Sequence, residues 1–146
     1  MAGATLRVVC PHCDSPNRLP TDRDATRARC GRCKQPLFTG APVALDAERF
    51  RRHVTHSDIP LIVDFWAAWC GPCRALAPTF ERAAAELEPR ARFIKVDVDA
   101  EPDLTSEFGV RGIPALFLLR QGKVAAQHSG LADIGLLRKW AETVTA

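Results

Sequence analysis

Three Cys-x-x-Cys pairs carry the chemistry of this chain: Cys10 and Cys13 in "CPHC", Cys30 and Cys33 in "CGRC", and Cys70 and Cys73 in "CGPC". A thiol can be a metal ligand, half of a structural cross-link or a nucleophile, and its spacing and surroundings decide which. The first two pairs stand sixteen residues apart, a separation at which two knuckles can converge and set four thiolates tetrahedrally around one ion. Each knuckle carries a turn-former, Pro11 in one and Gly31 in the other. Four soft ligands favour Zn2+, so Cys10, Cys13, Cys30 and Cys33 are expected to bind one structural zinc ion. Two disulfides, or a redox role for one pair, are the alternatives. A segment of about forty residues has too little core to fold unaided, so metal binding is expected to supply much of its folding free energy.

With those four cysteines committed, Cys70 and Cys73 lack partners for a second metal site and read as reactive thiols. They follow "LIVDFWAAW", a short apolar run rich in β-branched and aromatic residues that suits a buried strand, and they precede a helical run. A cysteine at a helix N-terminus faces unpaired N–H groups and the positive end of the helix dipole, which stabilise its thiolate. Cys73, three residues on, lies within disulfide reach and in a more sheltered place, so one thiol attacks and the other resolves. Pro72 restricts the turn between them. Asp64 is out of keeping with its apolar run, since a lone buried carboxylate is costly and its pKa tends to rise. A raised pKa suits a general base near neutrality, the alternative being a carboxylate satisfied by backbone or water.

These residues need a scaffold, and the rest of the chain supplies one. Ala47, Phe50 and Val54 recur at helical spacing; Leu76, Phe80, Ala83 and Leu87 form one face of a helix that Pro78 should kink; "RFIKVDVD" reads as a strand. "DLTSEFG" reads as a short helix stopped by Gly109, and "PALFLLRQGKVAAQH" as two strands joined at Gln121-Gly122. Ile134, Leu137, Trp140 and Val144 mark a closing helix with Asp133 as its cap. The order is helix, strand, helix, strand, helix, strand, strand, helix, which predicts an α/β fold with a mixed sheet and helices on both faces. "FTGAPVALD" reads as a short linker near residues 39–44, dividing an N-terminal module (1–40) from a larger domain (41–146).

Charge follows the same division. Residues 1–45 hold seven Arg or Lys against three Asp, whereas residues 46–146 hold thirteen basic against fourteen acidic residues. The basic N-terminal third could meet an anionic partner or simply be a solvated face. Arg23, Arg27, Arg29, Arg32 and Lys34 supply charge for nucleic acid, but Phe38 is the one aromatic residue there to stack on a base, which argues against that partner. "MAGATLRVVCPHC" lacks an apolar leader and no run reaches membrane-spanning length, so a cytoplasmic location with reduced thiols is expected.

"DFWAAWCGPCRALAP", "KVDVD", "RGIPALFLLRQGK" and "SGL" resemble the thioredoxin family over essentially all of residues 45–146. With its Cys-x-x-Cys…Cys-x-x-Cys extension, the whole chain resembles the family's zinc-binding bacterial members. The resemblance implies a thioredoxin fold behind a small zinc ribbon, and a protein-disulfide reductase that is itself re-reduced by a flavin- and NADPH-dependent thioredoxin reductase. It implies Cys70 as the attacking thiolate, Cys73 as the resolving thiol, Asp64 as the proton carrier near Cys73 and Lys95 as the lysine beside that carboxylate. Pro114 matches the family's cis-proline, so that the Ile113 backbone would pair with an extended substrate while Trp69, Gly71, Pro72, Ile113 and Gly130 frame an apolar docking surface. Ala68 departs from the pattern, standing where many relatives carry an acidic residue. No Gly-rich nucleotide loop is present, so any nucleotide cofactor belongs to the reductase. An oxidase or isomerase of the same fold, and a zinc-ribbon binding module on a redox-inert scaffold, are the competing functions; a monomer is the default assembly.

Overall fold

A computed structural model describes residues 4–142. The N-terminal module is a hairpin of β1 (Thr5–Val9) and β2 (Pro16–Pro20), a 3₁₀ turn at Ala25–Arg27, and a second knuckle closed by an Arg29–Pro36 bridge. Then come β3 (Val43–Ala44), α1 (Ala47–His56), β4 (Leu61–Trp66), α2 (Gly71–Leu87), β5 (Arg92–Asp97), α3 (Pro102–Glu107), β6 (Ala115–Arg120), β7 (Lys123–Ser129) and α4 (Ile134–Glu142). The five-stranded sheet has the order β3-β5-β4-β6-β7, with β3, β5 and β4 parallel and β6 and β7 antiparallel. This is the expected mixed sheet, with one addition. The segment predicted as linker contains β3, an edge strand too short to carry a periodic signal, and Gly40 is tied to Glu88 Oε1 through a 2.9 Å bond from its N–H.

Strand alternation sorts the core into two layers. Leu61, Val63 and Phe65 of β4 pack with Ile94, Phe117, Phe50 and Leu104, under α1 and α3. Ile62 packs with Phe93, Leu116 and Leu118 against Leu76 and Phe80 of α2 and Trp140 of α4. Asp64 shares the parity of Ile62, and Lys95 that of Phe93, so both lie on the α2 side of the sheet.

Local signals account for the element ends. Asp46 caps α1 through Arg49 N–H, and Asp133 accepts from Leu136 N–H at the start of α4. Gln121 and Gly122 both have positive φ, 52° and 77°, as a two-residue hairpin turn requires. α2 continues through Pro78, where the Arg74 carbonyl forgoes its helical donor. Val144, expected on the closing helix, lies outside the described residues.

Candidate active site and metal centre

Cys70 is the N-cap of α2, and its Sγ accepts a 3.2 Å bond from the Cys73 N–H. Here the two cysteines are joined as a disulfide, with Cα atoms 5.2 Å apart. Both are buried, at 4% and 3% exposure, so Cys73 is only marginally the more sheltered of the two. Ala67, Trp66, Val98 and Ile113 surround them. The Ile113 carbonyl oxygen lies 3.7 Å from Cys70 Sγ, and the Ile113–Pro114 peptide bond is cis. The Gly130 N–H donates to the Pro114 carbonyl at 2.8 Å, which fixes Gly130 to the same loop. A Cβ added at Gly71 or Gly130 would meet nothing within 4 Å, so the backbone is open to a partner on both sides of the pair. Trp69, 67% exposed, is held by its indole N–H, which donates to Asp99 at 2.7 Å. Pro72 occupies the first turn of α2, where a missing N–H costs nothing.

Asp64 is fully buried, and neither carboxylate oxygen has a hydrogen-bond partner among the described residues. Burial pushes its pKa up to about 7, against the pull of the Lys95 charge. The alternative of a carboxylate satisfied by the protein backbone is thus not met. Lys95 is Asp64's direct partner in the β4–β5 register, and its ammonium sits 4.3 Å from the centre of the Trp66 ring.

The four remaining cysteines converge, all sulfurs lying within 4.8 Å of one another. Cys10 and Cys33 are 3.6 Å apart, as are Cys13 and Cys30. A tetrahedron with Zn–S bonds of about 2.3 Å has edges of about 3.8 Å, so the cluster fits one such ion. The two knuckles are built alike. In the first, Cys10 N–H bonds to Ser15 O and Asp14 N–H to Cys10 O; in the second, Cys30 N–H bonds to Gln35 O and Lys34 N–H to Cys30 O. Pro11 and Gly31 lie in the two turns, as expected, and each turn closes on a left-handed residue just after the second cysteine, Asp14 (φ 64°) and Lys34 (φ 68°). Around Cys30, burial opposes ionisation but is outweighed by the N–H groups of Cys33, Asn17 and Arg32, which bring its pKa down to about 6.

The thioredoxin family model matches residues 41–143, and that of the zinc ribbon "Thioredoxin 2, N-terminal" matches residues 9–35. The chain belongs to the thioredoxin family. It is similar to thioredoxin C-3 of Corynebacterium nephridii, 37% identical over 133 residues and covering 91% of each chain, an alignment long enough to continue from the thioredoxin domain into the ribbon. The thioredoxin of Rhodospirillum rubrum is 42% identical over 93 residues, covering 64% of this chain and 89% of its own. Among solved structures, a point variant of the Halobacterium salinarum thioredoxin aligns with a TM-score of 0.67 at 32% identity, covering 75% of this chain and 95% of the other. Chloroplastic thioredoxin z aligns with 0.66 at 30%, covering 71% and 94%. The protein is accordingly a thiol–disulfide oxidoreductase with a thioredoxin fold behind a zinc-ribbon module.

Sequence patterns did not reveal the seam between ribbon and thioredoxin domain. Asp14 accepts two bonds from the Arg49 guanidinium, at 2.8 and 3.0 Å, and one contact of 3.1 Å from His53 Nε2. Arg92, 2% exposed, donates to the Val9 and Leu37 carbonyls at 3.0 and 2.8 Å, pairs with Glu88 at 3.2 Å and lies over the Phe38 ring. The one available sign was a charged residue opening the apolar strand "RFIKV", as Asp64 interrupts its own.

Proposed function

We propose that the protein reduces disulfides of client proteins, with Cys70 as nucleophile, Cys73 as resolving thiol and Asp64 as proton carrier. The observation that carries this reading is the bond from Cys73 N–H to Cys70 Sγ at the start of α2. The same donor, and the helix dipole behind it, favours a thiolate on Cys70 once the pair is reduced.

The Cys70 thiolate attacks one sulfur of a client disulfide, and the other client sulfur leaves as a thiolate that takes up a proton. The client is then linked to Cys70. Cys73 loses its proton, with Asp64 as the acceptor, and attacks Cys70 Sγ; the second client sulfur departs and is protonated. The product is the Cys70–Cys73 disulfide, the state described above. A dithiol supplied by a flavin- and NADPH-dependent reductase restores the pair.

Ile113, beside Cys70 Sγ, would pair its backbone with an extended client segment, while Trp69 and the open backbone at Gly71 and Gly130 border it. Pro72 and Pro114 shape the two walls, and Lys95 balances the Asp64 charge. Zinc on Cys10, Cys13, Cys30 and Cys33 would act as a structural cross-link between the knuckles. A cytoplasmic site of action suits a dithiol reductase and a thiolate zinc site, both of which need a reducing compartment; among the described residues, no helix is long and apolar enough to cross a membrane.

The deciding experiment is the midpoint potential of Cys70–Cys73 in zinc-loaded protein against dithiol buffers. A value near the roughly −270 mV of thioredoxin is expected, and one above about −200 mV would overturn the reductive direction in favour of an oxidase or isomerase.

A further inference from the structure

One cavity opens on the seam between ribbon and thioredoxin domain and a second on the ribbon beside it, both on residues the redox chemistry does not use. One, of about 390 Å³, is walled by Leu6, Val8, Leu19, Phe38, Ile59 and Pro89. The other, of about 440 Å³, continues along the ribbon past Ala28, and the two share Leu19, Pro20 and Ala25. These are volumes at which pockets take a small ligand or large side chains. Leu6, a large apolar residue, stands 39% exposed at the rim.

The charges along this groove are almost all of one sign. Arg23 borders both cavities, Arg27 and Arg29 continue the ribbon side, and Arg90 at the end of α2 stands on the opposite wall. Neither Arg23 nor Arg90 makes a side-chain hydrogen bond or salt bridge among the described residues. The one carboxylate present, Asp24, is occupied by the Thr26 N–H and hydroxyl. Three of the seven basic residues in positions 1–45, Arg23, Arg27 and Arg29, line the groove.

We propose that this groove docks a partner protein through a segment that places large apolar side chains in the cavities and carboxylates against Arg23, Arg27 and Arg90. The arginines are divided between the two cavities, Arg27 and Arg29 lining one, Arg90 the other and Arg23 both. Such an arrangement matches negative charge distributed along a polypeptide better than a single headgroup or phosphate. The apolar floor supplies the anchors and the basic rim the register. The surface lies on the seam, so a partner bound there engages ribbon and thioredoxin domain together. It needs no cysteine in the partner and is independent of the redox reading.

A cysteine-free random peptide library displayed on phage and selected on full-length, zinc-loaded protein tests this directly, with the Cys70→Ser variant run in parallel to exclude disulfide capture. The expected result is enrichment of sequences pairing Asp or Glu with Phe, Trp, Leu or Met. Their synthetic versions should bind Cys70→Ser as well as wild type, and bind the Arg23→Glu/Arg90→Glu variant at least tenfold more weakly. Leu6→Asp should weaken binding by a similar factor while zinc content and reduction of a small aromatic disulfide stay unchanged. No enrichment over the double-arginine variant, or enriched peptides that bind it equally, overturns the proposal. A fatty carboxylate such as dodecanoate binding with the same arginine dependence, where no peptide binds, overturns the choice of occupant.

Discussion

Asp64 and Lys95 are direct neighbours in the parallel register of β4 and β5, both on the side of the sheet that α2 covers, and the carboxylate is fully buried without a hydrogen-bond partner. Among the described residues Lys95 is the one compensating charge that acts on it, and burial outweighs that charge. The site therefore holds a carboxylate poised near neutrality at the cost of fold stability.

Asp64→Asn should separate those two roles. A folded-state pKa raised from 3.8 to about 7 means that the native protein binds a proton more tightly than the unfolded chain, so the penalty is absent below about pH 4, grows as pH rises and is complete above about pH 7. The variant is expected to be more stable than wild type above pH 7, by at most about 4 kcal/mol, and to lose that advantage by pH 4 in denaturant titrations. Its disulfide-exchange rate should fall at least about tenfold near pH 7.5, and the inflection near pH 7 should disappear. An unchanged pH profile would remove Asp64 from the chemistry.

Cys73→Ser leaves the attacking thiol without a resolving partner. It should accumulate client protein as a covalent adduct that dithiothreitol releases, visible as a mass shift under non-reducing conditions. Cys70→Ser should form no such adduct. Equal adduct formation by both variants would reverse the assignment of roles.

The sulfur cluster predicts one zinc per chain by elemental analysis. Stripping it with a chelator should cost the β1–β2 hairpin its amide protection, because the ribbon's own core amounts to Val8, Cys10, Cys30, Leu37 and Phe38 with Ile59 borrowed from the thioredoxin domain. Protection in β4, β5 and β6 should survive. Retained protection of the Leu6 and Val8 amides, which face β2, in metal-free protein would show that the ribbon stands without its ion.

Arg92→Leu tests the seam. It strands the buried Glu88 carboxylate and withdraws a donor from the carbonyls of Val9 and Leu37, which adjoin a metal ligand and the linker. Removing one partner of a buried ion pair costs about 3–5 kcal/mol, and chemical denaturation should register a loss of that order. A loss under about 1 kcal/mol would mean that water replaces the guanidinium at little cost.

The sequence alone singled out Cys70 and Cys73 as a pair apart from the four clustered cysteines, and it laid out the order of elements in the larger domain except for β3. Each rests on local information: cysteine spacing, hydrophobic periodicity, and turn residues such as Gln121-Gly122. It also marked Asp64, because a carboxylate in an apolar run violates the pattern around it. Tertiary structure decided what depends on contacts distant in the chain. β3 is two residues long and exists only because β5 offers an edge; Asp14 and Lys34 turn left-handed because the sulfurs must converge. Arg92 and Arg49 find Val9 and Asp14 only in the folded ribbon, 83 and 35 residues away along the chain. No local pattern encodes such pairings, since their stabilisation arises only when the two modules exclude water from the groups between them.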